Sequence, residues 1–231
     1  MSDDFFDEDH AARREQMFAK LEPLSSALYL VTQAVLLDLP PGARILCVGA
    51  GTGPELFSLA RAFPSWSFVA VDPSAPMLER LRARAEREGI AERCEIHEGY
   101  LDSLPAQEPF DAATCFLVSH FLTELDERRA LFVEIAGRLR PGGLLVSAEL
   151  TGDAEPARHE RRLESWARLF RVAEIPAPER ETMLGALGVA VATLPAEEFE
   201  ALLRSAGFAE PLRVFQSLLI HAWSAQKPAS A

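Results

Sequence analysis

Arg44-Ile45-Leu46-Cys47-Val48-Gly49-Ala50-Gly51-Thr52-Gly53-Pro54-Glu55 is the stretch from which the fold can be read. Residues 45–48 suit a buried strand and run straight into Gly49, Gly51 and Gly53. A helix-like segment follows over residues 55–63. A strand, a glycine-rich turn and a helix start are how open α/β sheets build nucleotide sites. Glycine lets the chain bend tightly and lets a ligand approach the backbone, while the helix start offers unpaired N–H groups. The spacing selects among ligands. The dinucleotide fingerprint G-x-G-x-x-G would place its third glycine at position 54, where the chain has Pro54. Gly53 makes the pattern G-x-G-x-G instead, which disfavours a nicotinamide-dependent oxidoreductase. A plain strand-to-helix turn needs fewer glycines than this.

Outward from that motif, strand and helix alternate with short connections. Strands are predicted over residues 67–71, 93–97, 110–118 and 144–149, and helices over 75–88 and 125–139, the latter capped by Asp126. The alternation predicts a parallel sheet with right-handed crossovers. Upstream, residues 1–39 read as a helical arm. In it, Pro23 breaks a first helix, and Ser25 or Ser26 caps a second that runs to about residue 37. Residues 40–225 read as one domain carrying a helical insert at about 154–190, and 226–231 as a disordered tail. Two closely connected strands, 212–216 and 218–224, read as an antiparallel pair.

Composition bounds the partners. The 231 residues suffice for one α/β domain, and 48% are hydrophobic, as in ordinary folded proteins. The formal net charge of −12 opposes free nucleic acid. Apolar runs are too short for a bilayer span, and the acidic start is unlike a signal peptide. Cys47, Cys94 and Cys115 lie in predicted strands without metal-ligand spacing, as expected of buried thiols in a reducing cytoplasm. No metal site is expected.

Several segments together are more specific than the glycine motif alone. They are Gly49-Ala50-Gly51-Thr52-Gly53, the acid Asp72 in Val-Asp-Pro-Ser-Ala-Pro-Met-Leu, and Pro109-Phe110-Asp111. Leu139-Arg140-Pro141-Gly142-Gly143 and Leu203-Arg204-Ser205-Ala206-Gly207-Phe208 complete the set. With these, the chain from Ile45 to Ser224 resembles a class I S-adenosylmethionine-dependent methyltransferase. The resemblance implies a Rossmann-like fold: a seven-stranded, mostly parallel sheet, helices on both faces, and an antiparallel strand near the C-terminus. It implies S-adenosylmethionine as cofactor, and a small-molecule methyl acceptor. Asp72, nineteen residues beyond Gly53, can accept hydrogen bonds from ribose hydroxyls; it or Ser74 can equally cap the following helix. The methionine end is expected across Gly49, Ala50, Gly51 and Gly53, with Pro73, Met77, Tyr100, Leu101 and Phe116 completing the cofactor site.

A closer architectural likeness is to the carboxy-S-adenosylmethionine synthase branch, which supplies a cofactor for modifying transfer RNA. It is carried by the acidic Phe-Asp-Glu arm, Phe121, the helix containing Glu127-Arg128-Arg129-Ala130-Leu131, and the insert before Met183-Leu184. That likeness also implies a homodimer, as does the insert's apolar stripe. The branch grips an extra carboxylate with an arginine where this chain has Glu181, beside Arg180, and carries an asparagine where this chain has Phe116. Two positions depart from the wider family: Cys47 stands where an acid usually precedes the first glycine, and Tyr100 where an acid follows the third strand.

Methyl transfer from an activated sulfonium chiefly needs an aligned acceptor and excluded water. If the acceptor must lose a proton, His120 is the candidate base; otherwise it lines the pocket or a turn. Trp166, Phe170 and Met183 read as the core face of the insert or as an acceptor pocket. A non-catalytic protein that binds the cofactor is the alternative from another class, which turnover would exclude.

Overall fold

A computed structural model describes residues 20–229; the first helix and acidic stretch expected before Lys20 lie outside them. The sheet order is β3-β2-β1-β4-β5-β8-β7. It is built from β1 (Arg44–Val48), β2 (Ser67–Asp72), β3 (Cys94–Glu98), β4 (Phe110–Phe116), β5 (Leu139–Gly152), β7 (Ala209–Ser217) and β8 (Ile220–Gln226). The two-residue β6 (Leu194–Pro195) joins the end of β5 off this path. All neighbours among β1–β5 are parallel, and β8 alone runs against β5 and β7. Seven principal strands with one reversed near the C-terminus match the expectation, β6 being an addition.

The alternation of side chains along β1 explains why both faces are covered. Leu46 and Val48 pack with Val71, Cys115 and the helices α4 (Leu125–Arg138) and α7 (Ala196–Ser205), through Phe132, Ile135, Phe199 and Leu203. Ile45 and Cys47 face the other way, onto α1 (Glu22–Leu36), α2 (Pro54–Ala62) and α3 (Ala75–Arg87), through Leu36, Leu56, Phe57, Leu78 and Leu81. A strand apolar on both faces belongs in the middle of a covered parallel sheet. The chain leaves β1 toward β2 and β3 on one side, and toward β4 and β5 on the other. The crevice between the carboxyl ends of β1 and β4 is therefore the topological switch point, where open α/β sheets bind ligands.

Local differences from expectation have simple causes. Pro23 sits in the first turn of α1 rather than breaking a helix, because the lost N–H there has no intrahelical partner. Glu124, not Asp126, precedes α4; Asp126 lies in its first turn, where an acid suits the helix dipole. β5 starts at Leu139, and Pro141-Gly142-Gly143 forms an irregularity inside it, between the Phe110–Leu139 and Ala112–Leu144 pairings. The tail is tied further than expected. Gln226 closes β8, and Lys227 exchanges backbone hydrogen bonds with Gly142 and Gly143 at 2.9 Å each.

The insert supplies α5 (Pro156–Val172), capped by the Glu155 carboxylate, and α6 (Ala177–Gly185). Trp166 and Phe170 meet edge to face at 5.1 Å and pack with Leu21, Ile175, Leu219 and Ile220, with Met183 at the margin. They are the insert's own core, not an open acceptor pocket. Most of the stripe expected to face a second subunit is in this way covered by the chain itself, while Val172 stays exposed.

Candidate functional site

The turn after β1 is held over β2. Gly49 and Ala50 both donate their N–H groups to the Val71 carbonyl, at 2.8 and 3.1 Å. Gly49 has φ +64°, and a Cβ there would clash with Val118 Cγ2. No side chain fits that contact, so Gly49 is dictated by the approach of the β4 end. Val118 is brought there by Leu117, whose φ of +58° is rare outside glycine. Leu117 is held in that conformation by its N–H bond to the Ala148 carbonyl at 2.7 Å. The loops after β1 and β4 thus close on each other across the switch point.

Asp72, at the tip of β2, fastens this arrangement. Its Oδ2 accepts from Gly51 N–H and its Oδ1 from Ser74 N–H, each at 2.8 Å, and the residue is buried. One carboxylate thereby orders both the glycine turn and the entry to α3. Ser74 precedes α3 with no side-chain cap bond of its own. Pro73 is exposed, whereas Met77 is buried, with its sulfur 3.6 Å from where a Cβ on Gly51 would lie. Gly53, at φ +77°, packs so that an added Cβ would reach Leu81 at 3.0 Å and Phe57 at 3.1 Å.

The other expected cofactor residues are less uniform. Leu101 is buried in the core beneath a short 3-10 turn, and its carbonyl accepts from Arg138 Nη2 at 2.9 Å. Tyr100 is exposed, and its carbonyl receives Ser103 N–H and Oγ–H. Phe116 lies parallel to Tyr29 of α1, with ring centroids 6.4 Å apart. So Gly49, Ala50, Gly51, Gly53, Asp72 and Met77 are brought together, Leu101 contributes only backbone beyond the core, and the Tyr100 ring stands out in solvent.

His120 belongs to a buried polar cluster past β4. Its Nδ1 is 3.7 Å from Glu149 Oε2 and has no hydrogen-bond partner among the described residues. Arg128 donates to the same Glu149 oxygen at 3.3 Å and to Ser119 Oγ at 3.0 Å. Ser147 Oγ lies 3.2 Å from Glu149 Oε1. Burial depresses the Arg128 guanidinium below its usual value, and Glu149 opposes that effect. Ala192 N–H closes over the His120 carbonyl at 2.8 Å, so the segment after the insert roofs the cluster.

Glu149 and the inward placement of Arg128 are functional features that the motifs do not mark. Both carry a signal. Glu149 is an acid at the end of an apolar strand, and Arg128 shares a helical face with Phe132 and Ile135, at i+4 and i+7. Among the other described histidines, His221 lies directly across from Glu149 in the β5–β8 ladder. His97 Nε2 meets Ser103 Oγ at 2.8 Å, while burial lowers His221 to about 4. Cys47, Cys94 and Cys115 are unpaired. No metal-binding cluster and no membrane-spanning helix occur among the described residues.

Residues 45–143 match a family model described as a methyltransferase domain. A carboxy-S-adenosyl-L-methionine synthase from Dichelobacter nodosus is 27% identical over 232 residues, covering 96% of this chain and 92% of that protein. A 24-methylenesterol C-methyltransferase 2 from Oryza sativa subsp. japonica is 28% identical over 160 residues, 68% of this chain; the chain spans 43% of that enzyme. Among solved structures, an O-methyltransferase family protein from Burkholderia thailandensis superposes with a TM-score of 0.63 at 16% identity, over 98% of this chain and 64% of the other; that likeness concerns the fold.

S-Adenosylmethionine presents a ribose that needs hydroxyl acceptors and an amino-acid end that must lie close against backbone. A buried carboxylate beside a turn of three positive-φ glycines fits both demands. The shared motifs, the methyltransferase-domain match over residues 45–143 and the common fold support a class I S-adenosylmethionine-dependent methyltransferase.

Proposed function

We propose that the protein transfers the methyl group of S-adenosylmethionine to a small-molecule acceptor held near the carboxyl ends of β4 and β5. The observation that carries this is the Asp72–Gly51 clamp at the switch point. The ribose is assigned to Asp72, the methionine end to the Gly49–Gly53 turn, and the adenosine to the side bearing Pro73, Met77, Tyr100 and Leu101. Phe116 borders the site from β4. His120 is the group assigned to take a proton from the acceptor where one must leave. Glu149 stands behind it and would stabilise an imidazolium. The net charge of −12 favours a small acceptor over nucleic acid. The unpaired cysteines suit a reducing, cytoplasmic setting. A homodimer rests on the likeness to the synthase branch alone, and light scattering at micromolar concentration tests it.

Calorimetry tests the cofactor assignment. Asp72→Ala should weaken S-adenosylmethionine by ~1.5–3 kcal/mol, the usual worth of hydrogen bonds to a charged group. Unchanged affinity in a folded variant removes Asp72 from the site. Methyl transfer is tested by incubating labelled cofactor with small-molecule acceptors, and a screen without turnover favours a cofactor-binding protein instead.

Similarity to a carboxy-S-adenosyl-L-methionine synthase over 96% of the chain supports a second reading, as an enzyme of that kind. Its extra carboxylate would need a cation, since an unpaired buried charge is costly. Glu181 is exposed and carries the wrong sign, while Arg180 hydrogen-bonds the Ile175 carbonyl at 2.6 Å. Phe116 offers no polar group and stacks on Tyr29. Plain S-adenosylmethionine is therefore the proposed cofactor. Competition between the two cofactors decides it, and preference for the carboxylated one, lost in Arg180→Ala, would establish the synthase.

A further inference from the structure

Glu55 is a carboxyl group that the proposed chemistry leaves unused. It is the second residue of α2, directly behind the glycine turn, and is only 6% exposed. An acid in a first helical turn suits the dipole, but an exposed acid does that without the cost of desolvation. Among the described residues no ion pair or hydrogen bond from another residue's side chain reaches Glu55. Arg84 of α3 acts on it at longer range, but its guanidinium lies over the Phe57 ring at 4.1 Å and is bonded to Glu88 at 2.8 Å. The other ionisable groups that feel Glu55 are Asp72 at the end of β2, Cys47 in β1, Cys115 in β4 and Tyr29 in α1. All four are acids or neutral, so the charge is offset only by a hydrogen bond from the residue's own backbone N–H and, more weakly, by Arg84. Burial accordingly raises the Glu55 carboxyl to about 7. Cys47 in this group is the position that lacks the acid expected before the first glycine.

S-Adenosylmethionine carries two positive charges, a sulfonium and an α-ammonium. Only the ammonium has N–H donors, and in a dry site these need an acceptor. We propose that Glu55 receives the α-ammonium of the cofactor and ionises as it arrives, so that binding expels a proton to solvent. This assignment rests on the methyltransferase reading above.

The test is calorimetric titration of the whole protein with S-adenosylmethionine at pH 6.5, in buffers of different ionisation enthalpy. At that pH an α-amino group is almost fully protonated, so proton exchange reports on the protein. Roughly half a proton or more should be released per cofactor bound. S-Adenosylhomocysteine keeps the ammonium and should release the same amount. Methylthioadenosine lacks the amino-acid end and should bind without release. Glu55→Gln should abolish the release and weaken S-adenosylmethionine by about tenfold or more, with methylthioadenosine little changed. Binding without proton release in the wild type, equal release with methylthioadenosine, or release surviving in Glu55→Gln overturns the assignment. Failure of S-adenosylmethionine to bind the wild type removes the methyltransferase reading itself, and the assignment with it.

Discussion

Replacing Glu55 by glutamine should make the fold progressively more stable than the wild type as pH rises from 4.5 to 8. The carboxyl ordinarily titrates at 4.5 and is raised by burial to about 7 in the fold. Below 4.5 it is neutral in both states and exerts no pH-dependent effect. Between 4.5 and 7 the unfolded chain gives up its proton while the folded chain keeps it, so unfolding is increasingly favoured. Above 7 the folded group must ionise too, and the loss stops growing. At 1.36 kcal/mol per pH unit, a rise from 4.5 to about 7 corresponds to about 3 kcal/mol. The residue is almost wholly buried, so solvent screening reduces this little. Glutamine matches the protonated side chain in shape and does not titrate. Urea denaturation of both proteins at pH 4.5, 6, 7 and 8 would measure the difference in ΔG. The gap should widen by about 3 kcal/mol across the series and level off near pH 8. A gap that stays constant with pH would show that Glu55 is not held neutral in the fold, and would remove the physical basis for proton release on binding.

Three further perturbations probe the rest of the site. Gly49→Ala forces a Cβ against Val118 Cγ2 at a φ of +64°. It should destabilise the fold by more than ~1 kcal/mol, the least expected for a side chain forced into left-handed backbone, and weaken the cofactor. Thermal and calorimetric titrations read both effects, and neutrality would contradict the close approach of the β1 and β4 loops. Arg128→Met leaves Glu149 buried without its cation and should cost ~3–5 kcal/mol in urea unfolding, whereas Arg128→Met with Glu149→Gln should recover part of it. If the double variant is no better than the single, the pair is not coupled. Once an acceptor is found, His120→Gln should lower kcat by about 10²-fold or more for acceptors that must lose a proton, leaving S-adenosylmethionine affinity intact. An unchanged kcat assigns His120 to pocket lining.

Much of the fold was legible because it depends on short-range chemistry. Residues 45–48 are apolar at every position, so the strand must be covered on both faces, and the glycines after it must turn. Asp72 ends its strand as an isolated acid between Val71 and Pro73, which marks a position kept for polar work at the strand tip. Helix ends were less legible. Pro23 and Asp126 are compatible with either side of a helix start, and neighbouring contacts decide which.

The rest required tertiary structure, because it concerns groups distant in sequence that share one low-dielectric space. Arg128 is a charge among charges in Glu127-Arg128-Arg129, and only the packing of α4 against β5 turns it inward to Glu149. Trp166 and Phe170 form an apolar stripe whose partner could have been a ligand, a second subunit or this chain, until β8 took it. Glu55 reads locally as an ordinary acid in a first helical turn. Its meaning changes once α1, α3 and the sheet shut water away from it, for the cost of a charge is set by what surrounds it. Strands, helices and the glycine turn are legible along the chain, since backbone geometry and hydrophobic period are local properties. The tertiary structure alone decided which ionisable side chains are buried together, since desolvation and charge pairing act through space rather than along the chain.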